Sequence, residues 1–254
     1  MITSTNPESW RELQDETARI LRECGFSVEI EKVVETARGS VELDVYAEES
    51  IDGRRYSIIC ECKHWRSRVP QTVVHGFRTV VGDLGANLGL IVASSGFQSG
   101  AGPAATYTNV KLVTWEEFQA EFEQTWLKRY LQPTVSDRCD PLLTYSEPLL
   151  PAWFGALSSQ QKDEFLNLKR QHDEFGWLMM TFTPYVRMLH HAPFPELPLR
   201  ARVAQLSDEA IIPEEVLDAV GYRQFLDAAL AHSDRAVAQF RALRPRDEAP
   251  LEHE

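Results

Sequence analysis

The sequence predicts an α/β domain, built as a mixed sheet flanked by helices, followed by a smaller all-α domain. Three observations predict it. Apolar residues switch between helical and strand spacing across residues 1–131, a proline-rich stretch at 132–151 carries little periodicity, and residues 152–254 show helical spacing alone. The domains are therefore set at 1–131 and 152–254, with 132–151 as linker.

A helix is expected from about Pro7, with Asn6 as its N-cap. Trp10, Leu13, Ala18, Leu21 and Cys24 recur at helical spacing and Gly25 closes the run. Three strands follow, Phe26 to Val34, Val41 to Ala47 and Tyr56 to Lys63. Arg38-Gly39 and Asp52-Gly53 supply the turns. Pro70 opens a second helix carrying Val73, Val74, Phe77, Val80, Val81 and Leu84. Leu88 to Ala93 is a short apolar run suited to a buried strand. Ala101 to Tyr107 reads as a short helix, Val110 to Val113 as a strand, and Thr114 to Leu131 as a helix with Thr114 and Glu117 as a capping box.

Past the linker, Ser158 and Gln161 form a second capping-box pattern, and Phe165, Leu168, Phe175, Met179 and Phe182 follow at three- and four-residue steps. Thr183-Pro184 breaks that helix, and Pro213 to Leu243 gives one or two more, interrupted near Gly221. The stretch Phe175, Trp177, Met179, Met180, Phe182, Tyr185 and Met188 is apolar on nearly all sides. Such a helix is buried, in its own core or against another protein, so the helical domain is expected to serve assembly, sensing or targeting through a second copy or a partner protein. His172, His190 and His191 are read as packed or exposed side chains, not metal ligands.

The net charge of −12 argues against a protein that coats nucleic acid non-specifically. Residues 1–130 carry 14 Lys and Arg against 19 Asp and Glu, so any nucleic-acid contact needs a local patch, a bound metal or a partner. No apolar run is long enough to span a membrane, the start of the chain lacks a signal-peptide core, and a cytoplasmic location is expected. Four cysteines are too few and too irregular for a disulfide framework. Cys60 and Cys62 share a strand face with Ile58 and read as small buried hydrophobes.

The chemistry concentrates on two strands. In the second, Glu42, Asp44 and Tyr46 alternate with Val41, Leu43 and Val45; in the third, Glu61 and Lys63 share a face and flank Cys62. A hairpin through Asp52-Gly53 brings Asp44 beside Glu61. Two carboxylates on rigid strands suit magnesium, which prefers hard oxygens and keeps several waters. A lysine beside them can stabilise charge on a phosphate in hydrolysis.

Asp44 followed by Glu61-Cys62-Lys63 resembles the motif of the PD-(D/E)XK, or restriction-endonuclease-like, nucleases. The wider context resembles the Mrr-like restriction endonuclease family, in Gly39 to Val45, in Glu61-Cys62-Lys63-His64-Trp65, and in Ser94-Ser95-Gly96-Phe97 followed by Gly100-Ala101 and Ala105. The resemblance covers about residues 8 to 120. It implies a restriction-endonuclease-like sheet and a magnesium-dependent endonuclease cutting DNA, with Mn²⁺ as substitute and defence against foreign DNA as its role. It further implies that Asp44, Glu61 and the Cys62 carbonyl hold the metal and that Lys63 is catalytic. Many members place a glutamate on the first helix; here the matching position is Gln14, whose carbonyl would still bind a metal-coordinated water, and Glu42 or Glu16 are the residues that would compensate.

Gln71 and His75, four residues apart on the second helix, are secondary catalytic candidates, set against a plain solvated face. His64, Trp65, Arg66 and Arg68 follow Lys63 as the basic cluster with an aromatic. They read as a phosphate clamp with a stacking platform, set against an exposed charged loop. A catalytically inactive nuclease fold that binds nucleic acid or a protein partner is the alternative function.

Overall fold

The computed structural model describes residues 1–146, 149–185, 192–203 and 210–245. The chain divides into two compact units, Met1–Tyr130 and Leu131–Glu254. The first holds a five-stranded mixed sheet in the order β1 (Ser27–Thr36), β2 (Gly39–Ile51), β3 (Arg54–Lys63), β4 (Leu88–Ala93) and β5 (Val110–Thr114). β1, β2 and β3 pair antiparallel, whereas β3, β4 and β5 pair parallel. This is the restriction-endonuclease-like α/β architecture.

Each connection follows from its residues. Asp52 and Gly53, at φ 51° and 77°, form the tight β2–β3 turn, a conformation that glycine and aspartate tolerate best. The parallel crossovers run through α2 (Gln71–Leu84) and α3 (Ala101–Ala105). α2 stops at Gly85, which takes the left-handed conformation. α2 and α3 cover one face of the sheet, burying Val74, Phe77, Val81, Ala101 and Ala104 against Tyr46, Ile59 and Ile91. α1 (Trp10–Glu23) lies on the other face, where Thr17 meets Cys62. α4 (Trp115–Trp126) begins with the expected capping box of Thr114 and Glu117.

Two expectations for this unit need correction. α1 starts at Trp10 with Ser9 as its cap, Ser9 Oγ accepting from the Glu12 N–H, so Asn6 and Pro7 precede the helix. The alternation along β2 also does not run unbroken. Val41 and Leu43 pack in the same cluster as Tyr46, while Val45, opposite Cys60, is buried on the other face. The switch falls at Asp44.

In the second unit α5 (Gln132–Ser146) occupies most of the expected linker. A π-helical turn, Leu127–Leu131, leads directly into its start at Gln132 and Pro133, and Pro141 lies inside the helix. Val135, Cys139, Leu142 and Ser146 form a buried stripe at helical spacing, so packing outweighs the cost of the proline. α5 packs on α6 (Ser159–Met180) and on the long helix α8 (Tyr222–Ala242), which follows the short α7 (Glu214–Leu217). α6 begins with the expected Ser158–Gln161 capping box. Its stretch is not apolar all round. Phe175, Met179 and Phe182 are fully buried, but Trp177 and Tyr185 are 55% and 67% exposed. Met188, His190 and His191 lie outside the described residues. No helix among the described residues is long and apolar enough to cross a membrane.

Candidate active site

The sheet opens where the carboxylates stand. The β2–β3 ladder ends at Val45 opposite Cys60, one step before Asp44 would face Glu61. On the other side, the β1–β2 ladder pairs Ile30 with Val45 and Lys32 with Leu43, and Glu31 between them turns to φ 53°. Side chains fill the gap left at Asp44. Its Oδ2 accepts the Cys62 N–H at 2.7 Å, and its carbonyl accepts from Gln14 Nε2 of α1 at 3.0 Å. Asp44 is thus fixed by main chain on one side and by a helix on the other.

Glu61 and Lys63, two residues apart on β3, form an ion pair. The Lys63 ammonium also lies 5.6 Å from the Trp65 ring centre, a cation–π distance. Burial raises the Glu61 carboxyl above the ordinary carboxylate range; Lys63 pulls it back down, and the nearby negative charge of Asp44 pushes it up. A second cation would relieve what Lys63 does not. Cys62, between them, is fully buried and touches Thr17 Oγ1 at 3.9 Å. Burial raises the thiols of Cys60 and Cys62, which keeps both neutral, as small hydrophobes.

The residues around this gap fit a hard divalent cation. Gln14 is completely buried and its Oε1 has no hydrogen-bond partner, which costs a buried amide oxygen about 1–3 kcal/mol. Two carboxylates with neutral oxygens at hand satisfy magnesium, which keeps part of its water shell. Among the described residues no cluster of three or more His, Cys, Asp or Glu could hold a metal, so neutral oxygens would have to complete the set.

The basic segment after β3 is built less simply than a free clamp. His64 is half-buried and its Nε2 meets the Pro7 carbonyl at 3.2 Å, so it ties the segment before α1 to the end of β3. Trp65 is 40% exposed, and Arg66 and Arg68 are exposed. Their loop is pinned to the one after β4. The hydroxyls of Ser94 and Ser95 donate to the Trp65 carbonyl, the Ser94 N–H to the Lys63 carbonyl at 3.0 Å, and the Val69 N–H to the Gly96 carbonyl at 3.0 Å. Gly96 adopts φ 70° to make that turn.

Residues 6–122 match the restriction endonuclease family model for the Mrr catalytic domain. Residues 6–122 belong to the Mrr-like restriction endonuclease family. The matched segment contains the split in the sheet, both carboxylates, Lys63 and the Ser94–Phe97 turn. The first unit is therefore an Mrr-like nuclease domain. No curated protein matches the chain. A solved crystal structure of a protein of unknown function is similar at 15% identity and a TM-score of 0.37, over 89% of this chain and 96% of that one.

The remaining sequence candidates make no hydrogen bond or ion pair with Asp44, Glu61 or Lys63 among the described residues. Glu42 is exposed opposite Val33, and no hydrogen bond or ion pair among the described residues joins it to Asp44. Gln71 is exposed in the first turn of α2, its amide oxygen so near Gly100 that a Cβ there would lie 2.7 Å away. His75 is exposed one turn on. Two contributors escaped the sequence reading. Thr17 had no signal beyond its helical spacing, and the left-handed Glu31 had none at all.

Proposed function

We propose that the chain is a magnesium-dependent endonuclease that hydrolyses DNA phosphodiester bonds in the cytoplasm, as an effector in defence against foreign DNA. The observation that carries the reading is the opening of the sheet at Asp44, which collects Asp44, Glu61 and Lys63 at one end of β3. Asp44, Glu61 and the Cys62 carbonyl would hold Mg²⁺, or Mn²⁺ in its place. When bound, the cation supplies a water of lowered pKa and neutralises charge on the phosphate.

The chain's own residues do the rest. Lys63, held between Glu61 and Trp65, places an ammonium where negative charge grows on the scissile phosphate. The Cys62 N–H keeps Asp44 turned towards Glu61. Arg66 and Arg68 pair with flanking phosphates, and Trp65 offers an exposed ring face to an unstacked base. His64 positions this loop rather than contacting DNA. The helical unit, with Trp177 and Tyr185 exposed on and just after α6, supplies assembly with a second copy or a partner protein.

Purified full-length protein should cut plasmid DNA with Mg²⁺ or Mn²⁺ and lose cutting in excess chelator. Asp44→Asn should bind neither cation well and should not cut. Metal-dependent binding of DNA without any cleavage, by the unmodified chain, would replace this reading with that of an inactive binding module.

A further inference from the structure

Resting on the reading of this site as a metal-dependent nuclease, we propose that Gln14 is a positioning residue that works through its amide N–H, so that glutamine here is the functional residue and not a weakened glutamate. The argument starts from the main chain of Asp44. On one side its ladder neighbour, Glu31, has turned to φ 53°; on the other the pairing with β3 has already ended at Val45. A strand residue that loses regular pairing on both sides is free to shift unless something else holds it. Gln14 Nε2 holds it, donating to the Asp44 carbonyl at 3.0 Å from a fully buried place on α1. The Asp44 side chain is then free to take the Cys62 N–H at 2.7 Å.

A carbonyl oxygen can be held only by a donor. The ionised carboxylate of a glutamate at position 14 has none. It would set lone pair against lone pair at Asp44 and add a third negative charge beside Asp44 and Glu61. Restoring the acid that many Mrr-like members carry on this helix should therefore harm the site in this chain.

The test compares the full-length protein with Gln14→Glu and Gln14→Leu, following DNA cleavage across a Mg²⁺ titration and thermal melting with and without Mg²⁺. A misplaced Asp44 is expected to lower kcat about a hundredfold in both variants. The Mg²⁺ concentration for half-maximal cutting should rise, and the gain in melting temperature on adding Mg²⁺ should shrink. The metal-free melting temperature of Gln14→Leu should stay near that of the parent, which separates positioning of the site from support of the fold. Gln14→Leu introduces no charge, so it keeps the proposal falsifiable if Gln14→Glu does not fold. Cutting by either variant as fast as the parent, or faster, overturns the proposal. A parent chain that neither cuts nor melts differently with Mg²⁺ overturns the nuclease reading beneath it, a distinct result.

Discussion

The nuclease domain and the helical unit each bury polar side chains, and they treat them differently. In the nuclease domain Asp44 accepts a main-chain N–H, the Gln14 amide donates to a main-chain carbonyl, and Glu61 is paired with Lys63. In the helical unit His172 of α6 and His232 of α8 stand 5.2 Å apart, ring centre to ring centre, packed among Phe175 and Phe240. Gln239 meets His172 Nε2 at 3.0 Å, but His172 Nδ1 and His232 Nε2 have no hydrogen-bond partner. Where charge has work to do, it is held by backbone and kept in reach of solvent. Where imidazoles are buried among rings, they are kept neutral, and the cost appears only when a proton arrives.

The largest effect that tests this contrast is at Lys63. Lys63→Ala should lower cleavage about 10²–10³-fold, the loss typical of one group that stabilises transition-state charge. Folding should be little changed, because Glu61 keeps a quarter of its side chain exposed and its raised pKa lets it take a proton instead of a partner. Thermal melting beside single-turnover cleavage measures both. A variant that melts several degrees lower yet cuts normally would make the Glu61–Lys63 pair structural and erase the distinction between the two units.

Acid is the second probe, and it acts on the other unit. Burial lowers the pKa of His172, opposed by its hydrogen bond with Gln239 and by the charge of Asp173; burial, together with the neighbouring His172 and Arg235, lowers that of His232 to about 4. A histidine whose folded pKa lies below its unfolded value, about 6.5, contributes full stability above that value and loses it as the pH falls towards the folded pKa. Between about pH 6.5 and 4 the His232 site alone should cost the helical unit on the order of 3 kcal/mol. Chemical denaturation of the full chain at several pH values, beside His232→Leu, isolates the term. The variant should lose less stability on acidification, and matching profiles would show that the pair is not sensed.

The same contrast explains what could be read in the sequence. Strands, the Asp52-Gly53 turn and both capping boxes were legible because each is written within a few consecutive residues. The nearness of Asp44, Glu61 and Lys63 was legible because the Asp52-Gly53 hairpin brings the two strands together and parity puts Glu61 and Lys63 on one face of β3. The opening of the sheet was not, since it depends on a left-handed Glu31 and on Gln14, thirty residues before its partner. Nor was the tie of His64 to Pro7, which crosses the fold. In the helical unit α5 was hidden by its prolines, which marked a linker by composition. Its buried stripe of Val135, Cys139, Leu142 and Ser146 is visible only if Ser146 counts as a core residue, and that depends on what it meets.

Ser146 meets Gly176, and this contact yields the smallest of the expected effects. A Cβ built on Gly176 of α6 would fall 2.2 Å from Ser146 Oγ and 2.8 Å from its Cβ, so α5 and α6 approach more closely there than any larger pair allows. Glycine in a helix interior costs about 1 kcal/mol relative to alanine, so Gly176→Ala on an open surface would stabilise. Here overpacking opposes that gain with about 1–3 kcal/mol. Rotating the serine hydroxyl away, or removing it, would not cure the clash, because the Ser146 Cβ remains too close. Ser146→Gly would cure it. Gly176→Ala should therefore destabilise the chain by about 1 kcal/mol, and Gly176→Ala combined with Ser146→Gly should recover more than the sum of the single changes predicts. Denaturant unfolding of the four proteins in that cycle gives the coupling directly. Simple additivity would mean that α5 and α6 shift apart freely, and the helical unit would then be as adjustable in its packing as the nuclease domain is fixed in its polar ties.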